Sequence, residues 1–321
     1  MKKRWPLVAL VLLVVLYFGG QILLDLWADV LWYKSNGQLP VFMTLLEARS
    51  AVFLGVFLIF FLVLAGSLRP LIRALPTLTL RRRGPSGTQP FSLPLSGLGP
   101  AIDAGIAFLA LLVALPLSGT QEALRVIAAL HAPPTGMPDP ILGLPAGFYL
   151  FHLPVYDLLT GTLQDSLLFA LVLGLLLGLP GGQISIAENR LSLHPVWRKV
   201  LMRLGAGLLL VLSLESLLLR TKTLLSRHQV LSGASYVDVH ARIPAATLLA
   251  LILAITALAF LLESFRRQSR ISWPLLGISF LSWVGGLVLT PWILSRFVVL
   301  PNQFNQEKPY IENNIAGTRK A

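Results

Sequence analysis

Residues 243–262 read IPAATLLALILAITALAFLL, twenty consecutive positions without a charged side chain. A bilayer's hydrocarbon core is crossed by about 20 apolar residues in α-helix, each rising about 1.5 Å. Six more runs of comparable character surround this one: Trp5–Leu24, Ser50–Leu68, Ala104–Ser118, Ser166–Gly181, Leu204–Leu219 and Ile271–Leu294. Only one of the seven holds a charge, Glu215 in the fifth. Inside lipid every backbone N–H and C=O must be bonded within the protein, so each run is expected to be a helix. The expected fold class is an all-α membrane protein. It is a bundle of seven transmembrane helices at about 5–24, 50–68, 101–118, 166–181, 204–219, 243–262 and 271–294, followed by a tail at 295–321.

Composition agrees with that solvent. Hydrophobic residues make up 55% of the 321, and charged residues 12%, roughly half the charged share of a soluble domain. The absence of cysteine excludes disulfides, thiolate metal sites and a cysteine nucleophile. A net charge of +12 invites a nucleic-acid reading, but the placement of the charges points elsewhere. When successive loops alternate sides, fifteen Lys and Arg share the side of the N-terminus and eleven lie opposite. Ten acidic residues nearly cancel the second set, whereas Glu188 and Glu263 are all that oppose the first. The positive-inside rule then places the N-terminus in the cytoplasm and the C-terminus outside, in a bacterial inner membrane. The basic loops meet anionic headgroups, and with no basic–aromatic module no nucleic-acid partner is expected. The opening MKKR imitates a signal peptide, but the apolar run is long and no small-x-small cleavage site follows. Trp27, Trp32 and Tyr33 instead form an interfacial belt beyond it.

The connections carry their own signals. Asn36-Gly37 marks a turn, and Pro40 starts a helix that merges into the second segment. The Pro, Gly, Ser and Arg content between Arg69 and Pro100 predicts a poorly ordered cytoplasmic loop. Pro116 predicts a kink in a helix continuing to about His131. DPILGLPAGFYLFHLP, residues 139–154, predicts a re-entrant or interface-lying hairpin of mostly irregular backbone. Ile184, Ile186, Leu191 and Leu193 alternate about Glu188-Asn189, which predicts a small cytoplasmic β-hairpin. Gly174 with Gly178 and Ser282 with Gly286 have the spacing of close helix contacts.

Two acidic residues stand out as a candidate intramembrane polar site. Glu215, about twelve residues into the fifth run, lies roughly 18 Å from that run's cytoplasmic start. A carboxylate at that depth costs several kcal/mol unless paired, protonated or wetted. Its structural reading is a partner for Arg220 or for a neighbouring helix. Asp103 lies near the headgroups, where a charge is inexpensive and a helix-capping role is open. None of the five histidines lies inside a run, which argues against a haem-b subunit. His228 and His240 share one outer loop with Asp238, but loop histidines of this kind need no metal, and no metal or cofactor is expected. There is no P-loop, nucleophile elbow, zinc-protease or dinucleotide motif, so no catalytic residue is assigned.

Four segments carry a family resemblance: LWYKSNGQLPVFMTLLEAR (31–49), DPILGLPAGFYLFHLP (139–154), SRHQVLSGASYVDVHARIP (226–244) and PNQFNQEKPYIENNIAGTRKA (301–321). In order and spacing they resemble a family of large bacterial membrane proteins, uncharacterised protein family one-eight-two. The last segment is the most specific, through Pro301-Asn302, Glu307, Pro309-Tyr310-Ile311, Asn314-Ile315 and Thr318-Arg319. Gln303 departs from the pattern, standing where an acidic residue is expected. The resemblance implies seven membrane segments followed by a large extracytoplasmic domain, and so a chain that is a fragment or a shortened member. It implies no activity.

The expected function is a membrane scaffold or accessory subunit whose outer loops dock a partner protein or subunit, alongside membrane lipids. The candidate interface comprises Phe148, Tyr149, Phe151, His152, His228, Tyr236, Asp238, His240 and Tyr310, since aromatics in ordered loops suit interface anchors. The alternative is a transporter or lipid-handling protein with Glu215 in a polar cavity.

Overall fold

The computed structural model describes residues 5–75, 77–84, 87–94, 99–134, 138–179, 183–187, 190–226, 233–266 and 271–320. Among the described residues the regular structure is helical apart from two short antiparallel strand pairs. In order it runs α1 (Trp5–Ser35), α2 (Leu39–Arg73), β1 (Thr77–Gly84), β2 (Gly87–Pro94), α3 (Gly99–Leu117), α4 (Thr120–Leu130), α5 (Leu153–Gly178), β3 (Ile184–Ala187), β4 (Arg190–Leu193), α6 (Pro195–Lys222), α7 (Ile243–Glu263), α8 (Ser272–Ser282), α9 (Thr290–Leu294) and α10 (Gln303–Lys320). Among the described residues six helices are long and apolar enough to cross a membrane: Leu39–Arg73, Gly99–Leu117, Phe148–Gly178, Pro195–Leu225, Asp238–Glu263 and Ser272–Gly317.

These helices are longer than the apolar runs because the backbone stays helical into polar flanks that hydropathy does not count. Pro40 and Pro195 sit in the first turn of α2 and α6, where the missing N–H has no intrahelical partner to lose. Gly37, at φ 71°, turns the chain from α1 into α2, and the Tyr33 and Phe42 rings meet across that turn at 5.1 Å.

Three expectations are corrected. The segment after Arg69 is not structureless throughout: β1 pairs antiparallel with β2, Leu80 opposite Phe91. Alternating Thr77-Leu78-Thr79-Leu80 carries the strand signal that the arginines and prolines obscure. Pro116 does not merely kink a long helix. α3 ends at Leu117, and α4 starts anew after Gly119, whose ψ of 173° is extended. The irregular backbone after Asp139 stops at Pro145, and a helix long enough to span runs from Phe148 to Gly178. The tail is helical too, as α10.

One core joins α2, α3, α5 and α6, around the fully buried Phe60, Leu64, Leu71 and Trp197. A second lies between α6, α7 and α8, around Leu209, Leu249 and Phe260. Large apolar side chains also cover the outside of the bundle, among them Leu62, Leu176, Leu248, Ile255 and Phe280. Such a surface is a liability in water and costs nothing against lipid tails. Lipid also removes the hydrophobic drive between helices, so close packing and interhelical hydrogen bonds must hold them together. Trp197 Nε1 donates to the Gly174 carbonyl at 2.9 Å, the Ser213 hydroxyl to the Ala250 carbonyl at 2.7 Å, and Thr256 and Ser279 hydroxyls lie 2.9 Å apart.

The β3–β4 pair, with Ile184 opposite Leu193, packs under α5 and α6 near Gly178 and Trp197. This end of the bundle also holds the α7–α8 corner. There Glu263, nearly fully buried, accepts from the Ile271 N–H at 2.7 Å and the Ser272 hydroxyl at 2.6 Å. The opposite, loop-bearing end carries most of the candidate residues.

Candidate functional site

At the start of α7 the sequence Ser235-Tyr236-Val237-Asp238 builds a reciprocal cap. Asp238 N–H donates to the Ser235 hydroxyl at 3.3 Å, and Asp238 Oδ2 accepts from Ser235 N–H and hydroxyl, each at 2.9 Å. Asp238 is completely buried, and its other oxygen meets Arg242 Nη1 at 2.7 Å. The carboxylate is therefore fully occupied by structural partners. Glu307 reaches in from α10 and accepts from the Tyr236 N–H at 3.1 Å, closing a contact over 71 positions. Around this cap the Tyr236 and His240 rings stack at 4.0 Å, and Tyr310 meets Tyr236 edge-on at 6.5 Å. His240 Nδ1 lies 3.0 Å from the Tyr236 carbonyl. A carbonyl only accepts, so Nδ1 carries the proton. The Tyr310 hydroxyl, 3.4 Å from the same nitrogen, is a second acceptor.

A parallel device precedes α5. Asp139 Oδ1 accepts from Ile141 and Leu142 N–H at 2.7 and 2.9 Å, and Oδ2 accepts from Leu144 N–H at 3.1 Å and the Tyr149 hydroxyl at 2.6 Å. Gly143, at φ 71°, completes the loop, which a Pro138–Pro145 bridge closes. Burial pushes the Asp139 carboxyl up, but the Tyr149 hydroxyl and the three backbone donors outweigh it and hold it below the usual 3.8. Phe148 then stacks with His152 at 6.4 Å and tilts against Tyr156 at 6.0 Å. Phe151 is half-buried on the same turn, and His152 is exposed.

The nine candidate interface residues thus divide. Phe148, Tyr149, Phe151 and His152 gather at the start of α5, while Tyr236, Asp238, His240 and Tyr310 gather between α7 and α10. His228 lies outside the described residues. Among the described residues no three His, Asp or Glu side chains group as a metal site.

The two intramembrane candidates are both engaged. Asp103 does not cap a helix; it pairs with Arg69 Nε at 2.7 Å and joins α3 to α2. Glu215 lies twenty positions into α6 and seven before its last residue, because the helix begins at Pro195, well ahead of the apolar run. It stands about three-quarters of the way along both the run and the helix, toward the loop-bearing end. Among the described residues its hydrogen-bond partner is neither Arg220 nor another cation. Oriented to satisfy both side chains, the Gln164 amide of α5 donates to Glu215 Oε1 at 2.5 Å and Oε2 at 2.8 Å. Lys222 Nζ meets Asp157 Oδ1 at 2.8 Å on the same pair of helices.

Two grooves open beside these residues. One, about 900 Å³, lies between the start of α7 and the helix from α9 to α10, and is bordered by Arg242, Trp292, Leu300, Phe304 and Glu307. The other, about 860 Å³, lies between α6, α7 and α8, with Glu215 and Lys222 on a wall otherwise dominated by leucine. Sequence reasoning missed Asp139, Gln164, Glu263 and Glu307 as organising residues. The Ser-x-x-Asp spacing at Ser235 was a readable cap signal; the partners distant in sequence had none.

The model of the uncharacterised protein family UPF0182 matches residues 6–321. A UPF0182 protein of Kocuria rhizophila is 31% identical over 326 residues, covering 98% of this chain and 31% of the relative. One of Arthrobacter sp. (strain FB24) is 29% identical over 98% of this chain and 31% of its own length. One of Methanospirillum hungatei is 30% identical over 99% and 35%. The chain spans about a third of the length of these relatives. No solved structure matches it. On the family match across nearly all of its length, the chain belongs to the uncharacterised protein family UPF0182.

Proposed function

We propose that this chain is a membrane-embedded scaffold that docks an extracytoplasmic protein on its loop-bearing end. In this reading α1 is the seventh spanning helix, since it contains the run Trp5–Leu24. The N-terminus and the strand pairs face the cytoplasm of a bacterial inner membrane, and α10 stands outside. The unequal division of Lys and Arg supports that orientation.

The observation that carries the docking role is the groove between the start of α7 and α9–α10. Its floor is made rigid by the Ser235–Asp238 cap and the Glu307 crosslink. Its rim exposes Trp292 (60%), Leu300 (52%) and Phe304 (71%). Aromatic and aliphatic anchors on a preorganised frame are what a protein partner needs to bind without an ordering cost. Arg242 and Glu307 at the edge supply charge for orientation rather than bulk affinity.

The test is purification of the full chain in mild detergent, beside a Leu300→Glu/Phe304→Glu variant. A stoichiometric extracytoplasmic partner held by the parent and lost from the variant, with the variant's melting temperature unchanged, is the expected result. A solitary monomer, or a partner indifferent to both charges, overturns the reading.

A further inference from the structure

The second groove points to an occupant of a different kind. It runs along α6 from Leu209 to Lys222, thirteen residues or about 20 Å of helix. One leaflet of hydrocarbon is about 15 Å deep. The groove therefore traverses one leaflet and stops at the loop-bearing surface. Its walls are leucine with Phe280 and Trp283. Its polar groups are mostly spoken for: the Ser216 hydroxyl donates to the Leu212 carbonyl, and the Ser279 hydroxyl bonds to Leu275 and Thr256. Both Glu215 oxygens are held by Gln164 of α5, which is not one of the walls. The exception is Lys222 at the surface end. Asp157 takes one of its three donors, and an ammonium has two more to offer.

The length and the end group point to a lipid chain. A leucine-walled groove one leaflet long, with Lys222 offering two donors at its surface end, matches an acyl chain below an anionic headgroup. We propose that this groove seats an acyl chain of a membrane phospholipid, with the lipid phosphate at Lys222. The claim does not rest on the docking site, whose groove meets this one at Leu287. It also gives Glu215 a role: tied back to α5, it keeps α6 in place as one wall.

Trp283 lines the groove and serves as a probe, because bromine on an acyl chain quenches tryptophan only at contact. Seven tryptophans are present, so the Trp283 signal is the difference between the parent chain and Trp283→Phe. Brominated phosphatidylglycerol or brominated diacylglycerol is titrated into maltoside micelles of the full chain. The phospholipid is expected to half-quench Trp283 at about fivefold lower mole fraction, the increment of one lysine at a lipid surface. Lys222→Gln is expected to abolish that preference. Gly277 also lines the groove, and a Cβ there meets nothing within 4 Å. Gly277→Leu is therefore expected to block quenching by both lipids while leaving the melting temperature unchanged or raised. Trp283 unquenched by either lipid, or quenched equally in Gly277→Leu, overturns the acyl-chain site. Equal quenching by the two lipids overturns the phosphate at Lys222.

Discussion

Gly178 leaves no room for a methyl group. A Cβ there would stand 2.5 Å from Trp197 Nε1 and 2.6 Å from Ile184 Cδ1, and Trp197 is fully buried with its N–H on the Gly174 carbonyl. Gly178→Ala must displace the indole or the strand pair, so a loss of about 2 to 4 kcal/mol is expected, read as a lower melting temperature in detergent. Gly277→Ala, facing open space, is the control and should not lose stability. Asp139 makes a prediction of the other kind. Its carboxyl lies below the ordinary 3.8 when folded, so its stabilisation is complete above 3.8 and disappears as pH falls through the lower folded value. The near-ultraviolet signal of Tyr149 should stay constant from pH 8 to pH 5 and collapse only below about 3.8. Asp139→Ala should remove the pH dependence and cost about 2 kcal/mol, as loss of a charge-assisted hydrogen-bond set. Of these residue-scale features, the Gly174–Gly178 spacing and the Ser235–Asp238 spacing were legible because both partners lie within one helical turn. Gln164 on Glu215 and Glu307 on Tyr236 were not, because pairing across helices depends on rotation about each axis, which one sequence does not specify.

Between residue and bundle, proline sets the geometry of the helix starts. Four wide, π-type turns occur at Phe148–His152, Asp238–Arg242, Trp283–Leu289 and Ser295–Val299. Each ends two residues before a proline: Pro154, Pro244, Pro291 and Pro301. The bonding is the same each time. The N–H just before the proline reaches back five residues, from Leu153 to the Phe148 carbonyl, Ile243 to Asp238, Thr290 to Gly285 and Leu300 to Ser295. Proline lacks the N–H for the carbonyl four back, and its ring pushes that carbonyl away. A wider turn absorbs the displacement without breaking the helix. Two of these turns carry the candidate aromatics, so the orientation of His152 and His240 depends on a residue downstream of each. Pro244→Ala should let the turn tighten to ordinary α-helix and rotate Tyr236 and Asp238 by about 100°, away from Glu307. Hydrogen exchange at the Tyr236 amide is the measurement; faster exchange is expected, and unchanged protection would mean that the cap rather than the proline sets the turn. The apolar runs revealed where helices lie, but hydropathy carries no mark of a π-turn and does not count the polar flanks into which the helices continue.

At the scale of the whole molecule the two ends of the bundle differ in how they are fastened. Both ends carry ion pairs, Arg69 with Asp103 at one and Lys222 with Asp157 at the other, and to its pair the first adds Glu263 at the α7–α8 corner. The other holds the aromatic clusters and both acid-centred caps. Hydropathy spacing made the bundle legible, because lipid leaves the backbone few alternatives to helix. It said little about the function of either end, since no catalytic or ligand-binding spacing stands out in the loops. Orientation is the property that links the two ends to a role, and the absence of cysteine makes it directly measurable. Gln38, between α1 and α2, and Asn313, on α10, are exposed toward the loop-bearing end; His194, exposed before α6, belongs to the strand-bearing end. Single Gln38→Cys and Asn313→Cys chains in intact cells should react with a membrane-impermeant maleimide, and His194→Cys only after permeabilisation. An odd number of spans with a cytoplasmic N-terminus requires that pattern. Labelling of His194→Cys alone would invert the molecule and put its aromatic clusters in the cytosol. Labelling of Gln38→Cys without Asn313→Cys would mean that the helix from Ser272 onward does not carry α10 across, and the docking face would lose the element that Glu307 anchors to it.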